Sequence, residues 1–262
     1  MAALRPWALV TGASSGLGTD FARQLAQKGW NLVLTARRRD RLESLAEALR
    51  RDHHAEVHVI DGDLAQASFR DTLVAEATRD RQLQMVINNA GYGQQDPFLD
   101  GGYERWDSVM ALNINALVDL SWRLGRHMRD HGLPSHLVNV ASIGAFQPVP
   151  TFAVYAATKS FVRDFSEAIA HELASSNVAV TCICPGGTKT EFMEAAGLKL
   201  TRLAEKSLQS SEACVREGLN AALARRRLVV TGWLNKVATF LTRLSPRWLS
   251  AQVAERSMRP PS

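Results

Sequence analysis

Six short apolar runs, rich in β-branched residues, punctuate the chain: Trp7–Thr11, Asn31–Ala36, Val57–Asp61, Met85–Asn88, Leu137–Val140 and Val178–Cys184. Arg227–Val230 is a candidate seventh. Helical patterns fill the intervals: one caps at Asp40 with Glu43 three residues on, one starts near Gln66, and one runs from Tyr103 to His131. Another covers Val154 to Ser175. Strands buried on both faces read as near-continuous apolar runs, and helical crossovers between them make the strands parallel and the connections right-handed. The fold class is therefore α/β. At 262 residues, of which 46% are hydrophobic, one large domain over 1–262 is expected, with no linker or repeat.

The first run leads directly into Gly12-Ala-Ser14-Ser15-Gly16-Leu17-Gly18 and then a helix with Phe21 and Leu25 on one side. Strand, glycine turn and helix N-terminus in that order make a phosphate site, because close-approaching backbone and free N–H groups meet the anion. Where an NAD site carries an acidic residue after the second strand, this chain has Ala36 and then Arg37-Arg38-Arg39. Arginine accommodates a 2′-phosphate, so NADP(H) is expected rather than NAD, with Arg37 as the ligand and Arg38 and Arg39 solvated. Asp63, just past the third strand, either receives the adenine amino group or caps the next helix. Asn89-Ala90-Gly91 keeps the fourth strand's exit small enough for a flat ligand to pass.

Tyr155 and Lys159 are one helical turn apart and share a face. An ammonium nearby favours the phenolate and is expected to draw the tyrosine down towards neutral pH, which suits general acid–base catalysis. Ser142, after the fifth strand, can hold a carbonyl oxygen while Tyr155 protonates it. Ligands of open α/β sheets bind beyond the carboxyl ends of the strands, and all these residues follow strands.

On Thr11–Gly18, Asn88–Gly91, Asn113, Ser142, Tyr155-x-x-x-Lys159 and Pro185-Gly186 with Thr188 and Thr190, the chain resembles the short-chain dehydrogenase/reductase family. The resemblance implies a single-domain, doubly wound Rossmann fold with a mostly parallel, seven-stranded sheet flanked by helices. It implies Tyr155 as acid/base, Lys159 as its pKa depressor and nicotinamide-ribose ligand, and Ser142 as the carbonyl donor. Asn113 matches the position of a proton-relay water, in preference to Asn115. Thr188 and Thr190 match carboxamide and phosphate contacts, and Asp63 and Leu64 the adenine pocket. The Ala-Arg-Arg, Val-Tyr-Ala-Ala-Thr-Lys and Cys-Pro-Gly-Gly stretches look like a bacterial branch related to 3-oxoacyl and 17β-hydroxysteroid reductases. The implied activity is interconversion of a carbonyl and an alcohol, and a homodimer or homotetramer is expected; Cys182, Cys184 and Cys214 make no disulfide framework, and reduced cysteines suit a cytoplasmic setting. A dinucleotide-binding sensor or scaffold on the same fold is the alternative.

Phe146, Val149, Phe152, Phe192 and Met193 are expected to make the substrate pocket apolar, with a substrate loop at about 187–210. Cys182 and Cys184 alternate on one face of a buried strand, which is the preferred reading; a Cys-x-Cys metal site is the alternative. His53, His54 and His58 have no accompanying ligand cluster, so no metal is expected. The N-terminus has no signal-peptide pattern, and no run of 18 apolar residues occurs. Residues 199–262 hold 12 Lys/Arg against 4 Asp/Glu. From about 236 to 257 these bases lie on amphipathic helices broken at Pro246. Such helices can pack or form an oligomer contact, lie on an anionic membrane, or steer an acidic substrate. Packing or oligomer contact is the preferred reading, and nucleic-acid binding has no recognised module behind it.

Overall fold

A computed structural model describes residues 5–188, 191, 196–197 and 208–258. Seven strands form one parallel sheet in the order β3-β2-β1-β4-β5-β6-β7. They are β1 (Trp7–Thr11), β2 (Asn31–Ala36), β3 (Val57–Asp61), β4 (Leu83–Asn88), β5 (Ser135–Val140), β6 (Val178–Cys184) and β7 (Leu228–Val230). The order reverses between β1 and β4, and the two exits part there to open the crevice in which such sheets bind ligands. Every residue of β2 and of β6 is buried, the expected signature of strands covered on both faces.

On one face lie α1 (Gly16–Gln27), α2 (Arg39–His53) and α7 (Ser211–Leu223), which bury Phe21, Leu25, Leu42, Leu49, Val215 and Leu219 against the strands. The other face is covered by α3 (Ala67–Thr78), α5 (Leu117–Asp130) and α6 (Ala153–Glu172), through Leu73, Leu120, Leu124 and Ala170. Arg70 of α3 donates to Asp119 of α5 at 2.5 Å, and Arg123 spans Asp119 and Asp71, so charged side chains pin these helices together.

The helix expected from Tyr103 to His131 is continuous but not uniform. Between α4 (Tyr103–Met110) and α5, residues Ala111–Ala116 form a π-helical turn. Such bulges cluster at functional sites, and this one carries Asn113. A further difference concerns α2, whose N-cap is Arg38 rather than Asp40; no side-chain hydrogen bond caps it, and Asp40 lies inside the first turn. There its charge meets the positive end of the helix dipole, which does not require a capping geometry.

Behind the site runs a buried polar chain. Asn88 Nδ2 donates to Asn139 Oδ1 at 2.9 Å and to Ser121 Oγ at 3.1 Å, and Asn139 Nδ2 donates to Ser166 Oγ at 3.0 Å. β4, β5, α5 and α6 are thereby held in register just below their functional ends. Two helices close the chain, α8 (Trp233–Leu244) and α9 (Arg247–Met258).

Candidate active site

Gly12 and Gly16 both have positive φ, 67° and 54°, so the turn after β1 takes a path that side-chain-bearing residues rarely follow. A Cβ on Gly18 would lie 2.1 Å from the Gly12 carbonyl oxygen. The turn and the start of α1 are therefore in direct backbone contact. Thr11 fastens the turn to β4: its hydroxyl donates to the Ile87 carbonyl and accepts from the amides of Asn89 and Ala90. Asn89 Nδ2 returns a bond to the Thr11 carbonyl at 2.9 Å. The two strand ends flanking the crevice thus behave as one rigid unit. Ser14, Ser15 and Leu17 lie along this turn, with Ser15 in extended conformation at the helix N-cap.

Arg38, not Arg37, reaches this turn. Arg37 is exposed, whereas the Arg38 guanidinium donates to Ser14 Oγ at 3.2 and 3.3 Å. Arg37 directly continues β2 and is exposed, while Arg38, the N-cap of α2 and expected to be solvated, folds back across the glycine turn. Arg38 and Arg41 also share Glu191 at 3.1 and 2.7 Å, and the pair of guanidiniums, Arg41 foremost, holds the Glu191 carboxyl below its ordinary range. Arg39 pairs instead with Asp61.

Asp63 does not cap α3, whose N-cap is Gln66 with no side-chain hydrogen bond; its Oδ1 accepts from the Ala65 amide at 3.0 Å in the turn ahead of that helix. Leu64 is buried against β1, β2 and β4 residues. Pro185 accepts from the Ile143 amide at 2.8 Å, tying the β6 exit to the segment after β5. Gly186 is pressed by Asn235 of α8; a Cβ there would lie 2.1 Å from Asn235 Nδ2. Nothing in the sequence pattern singled out Asn235, whereas Thr11 opens the glycine-rich stretch. Thr188 pairs with Gln209 in a short bridge, while Thr190, Phe192 and Met193 lie outside the described residues.

At the carboxyl ends of β4 and β5, the expected polar residues do meet. Ser142 sits in extended conformation before a 3₁₀ turn (Ile143–Phe146), where its Oγ accepts from the Gly144 amide at 3.1 Å. The Ser142 and Tyr155 side chains are hydrogen-bonded to each other. The Tyr155 ring stacks on Phe152 with centroids 4.3 Å apart. Phe152 is thus a support for the tyrosine rather than a free pocket wall. Phe146 packs in a different cluster, with Leu117, Cys182 and Cys184, and lies under Arg163, because the 3₁₀ turn delivers it towards α6.

Lys159 is 5% exposed, and its Nζ donates to the Val140 carbonyl at 2.8 Å and lies 5.7 Å from the Tyr155 ring centroid. Burial dominates both groups. It pushes Tyr155 up to about 12 and Lys159 down to about 8. The expected depression of the tyrosine by the ammonium is therefore not what this geometry gives: loss of hydration penalises both charged forms, and the ammonium is directed at a backbone carbonyl. Asn113 is fully committed. Its Oδ1 accepts from the Tyr92 amide, and its Nδ2 donates to the Tyr92 carbonyl and to Thr158 Oγ1. Asn115, the rival, is exposed.

Gly91 and Gly93 pack directly against the side chains of this site. A Cβ on Gly91 would meet Asn113 Oδ1 at 2.9 Å and Lys159 Nζ at 3.3 Å; one on Gly93 would meet Phe152 and Tyr155 at 2.5 and 2.6 Å. The glycine turn at Ser14–Gly18 and the polar cluster around Tyr155 thus stand at the same carboxyl edge of the sheet, on either side of the crevice. Cys182 and Cys184 share a face as expected, with sulfurs 3.8 Å apart and fully buried, and among the described residues no group of metal-ligating side chains is found.

Comparison with known proteins settles the family. A profile of the short chain dehydrogenases matches residues 6–200. The chain belongs to the short-chain dehydrogenase family. This short-chain dehydrogenase is 35% identical over 186 residues to sulfoacetaldehyde reductase 2 of Chromohalobacter salexigens, covering 70% of this chain and 73% of that one. A short-chain dehydrogenase from Sphingobium yanoikuyae, solved in complex with NADPH, superposes with a TM-score of 0.80 at 27% identity, over 98% of this chain and 99% of that one. A Burkholderia phymatum short-chain dehydrogenase/reductase solved with NAD superposes at 0.83 and 22% identity, over 98% of each chain. The protein is an oxidoreductase of this family, built on the family's nucleotide-binding fold.

Proposed function

We propose that the protein is an NADP(H)-dependent reductase of an apolar ketone or aldehyde, working reversibly with the corresponding alcohol. The observation that carries this reading is the hydrogen-bonded Ser142–Tyr155 pair at the carboxyl ends of the strands, with Gly91 packed beside Lys159 and Gly93 beside Tyr155. When bound, the nicotinamide supplies hydride to the carbonyl carbon. The chain's own residues do the rest. The Gly144 amide occupies a lone pair of Ser142 Oγ, which orients the serine proton towards the substrate oxygen. Tyr155, kept protonated by its burial, gives its proton to the oxygen as negative charge develops there. Lys159, brought down to about 8, holds a proton labile enough near neutrality to restore the one that Tyr155 gives up.

The preference for NADP(H) rests on Arg38. It lies across Ser14 with Arg41 beside it, and two guanidiniums suit a 2′-phosphate better than a ribose hydroxyl. The NADPH complex of the Sphingobium relative supports this choice, and the aldehyde named for the Chromohalobacter relative supports carbonyl reduction. The proposed cofactor contacts remain Gly12 to Gly18, Asp63, Leu64, Asn89 to Gly91, Tyr155, Lys159, Pro185, Gly186, Thr188 and Thr190, with Arg38 taking the place of Arg37. A homodimer or homotetramer in the cytoplasm completes the proposal, supported by Trp122 of α5 and Phe161 of α6, exposed on neighbouring helices, and by three buried, unbridged cysteines. Purified protein incubated with ketosteroids, 3-oxoacyl thioesters and aldehydes should oxidise NADPH with at least one class. A sensor would bind NADPH and turn over none of them.

A further inference from the structure

Helix α8 is inverted with respect to water. The side chains it turns inward are polar: Asn235 and Thr239, 8% and 7% exposed. They are satisfied locally, Asn235 Nδ2 donating to the Thr231 carbonyl and Thr239 Oγ1 to the Asn235 carbonyl, each at 2.8 Å. Outward it presents Trp233, Val237, Phe240 and Leu244, with Trp233 and Leu244 each 71% exposed. A helix on a water-facing surface has the opposite arrangement. α9 continues the pattern after Pro246: Ser250 and Ala254 are buried, while Trp248 and Val253 are exposed. Packing within the chain, one half of the packing-or-oligomer reading preferred from sequence, therefore does not use the apolar side of α8.

Charge selects the occupant. Arg243, Arg247 and Arg256 are exposed on the same two helices, and Glu255 is the one acidic residue between 233 and 258. Lys236 is already paired with Glu217. A second copy docked here by a two-fold axis would bring basic patch against basic patch, with little to answer it. An anionic lipid surface answers both features at once: headgroups neutralise the guanidiniums, and the interfacial region takes up tryptophan, phenylalanine and leucine. No described helix is long and apolar enough to cross a membrane, so these helices suit lying on one.

We propose that α8 and α9 form a docking surface for an anionic lipid bilayer. The surface adjoins the site, since Ala254 of α9 packs in the same cluster as Val149, Phe152 and Tyr155, and α8 packs on the 3₁₀ turn that follows Ser142. Docking therefore places the Ser142–Tyr155 site next to the lipid.

Flotation of the purified full chain with phosphatidylglycerol-rich or pure phosphatidylcholine vesicles tests this. The wild type should float with the anionic vesicles at low salt and lose them at high salt. An Arg243→Gln/Arg247→Gln variant should bind roughly 25-fold more weakly, at about fivefold per arginine. A Phe240→Glu/Leu244→Glu variant should stay with the soluble fraction while keeping the wild-type melting temperature. Should that variant unfold, the wild type's tryptophan fluorescence decides instead, through blue shift and quenching by brominated lipid. The proposal fails if the wild type remains unbound at low salt, if neither variant changes binding, or if the fluorescence ignores the lipid. It also fails if light scattering shows that Phe240→Glu/Leu244→Glu splits a dimer that vesicles do not affect.

Discussion

Replacing Lys159 with methionine should make the protein more stable near neutral pH while removing its activity. Burial lowers Lys159 from 10.5 to about 8, a displacement of two to three pH units that corresponds to about 3 kcal/mol of unfavourable burial for the ammonium. Methionine has no charge to desolvate and fills much the same volume. Against this, the Val140 carbonyl loses its 2.8 Å donor, at about 1 kcal/mol. The net gain at pH 7 is about 2 kcal/mol, or roughly 4–5 °C in melting temperature for a chain of this size. The pH dependence carries the sharper signature. Between about pH 8 and 10.5 the folded lysine is neutral while the unfolded one is still protonated, so wild-type stability rises with pH across that window. The variant has no such rise. Groups common to both proteins, Tyr155 and Cys214 included, cancel in the comparison. Urea unfolding at several pH values should show the variant's advantage shrinking by about 3 kcal/mol and changing sign before pH 10.5. A variant less stable than wild type at pH 7, by an amount that does not change with pH, would refute the reasoning.

Two further substitutions separate the cofactor end from the chemical end. Arg38→Ala should raise KM for NADPH by roughly thirtyfold, about 2 kcal/mol of lost charge-assisted bonding, with NADH kinetics little changed; steady-state assays with both cofactors decide it. Gly93→Ala places a methyl group about a bond length too close to Phe152 and Tyr155, so kcat should fall at least tenfold while NADPH binding, read by fluorescence, changes less.

Much of this site could be read from residue order alone, because the cues were local. Four of the strands, β1, β2, β3 and β6, have the bounds their apolar runs suggest, and Gly12–Gly18 joins β1 to the first turn of α1 as its spacing implies. What was illegible depends on three-dimensional neighbours. Arg37 and Arg38 are adjacent and identical in type, and only the start of α2 decides which one turns back over Ser14. The π turn at Asn113 has no periodicity that marks it within a long helix. The Tyr155–Lys159 spacing gave the proximity of the two side chains correctly. It could not give the depth of burial that sends their protonation in opposite directions. The role of Asn235 against Gly186 joins residues 49 positions apart, beyond any local pattern. α8 looked amphipathic in sequence and is so, yet its apolar side faces out, a fact that burial alone reveals.

The central claim is that Tyr155 exchanges the substrate's proton at the reactive end of a bound dinucleotide. Tyr155→Phe removes only the hydroxyl and keeps the stacking on Phe152. Single-turnover reduction of a reactive ketone by this variant, with NADPH binding measured in parallel, tests it most directly. The account predicts a kcat loss of roughly a thousandfold or more with NADPH affinity within a few-fold of wild type. Turnover near the wild-type rate with the hydroxyl gone would contradict it.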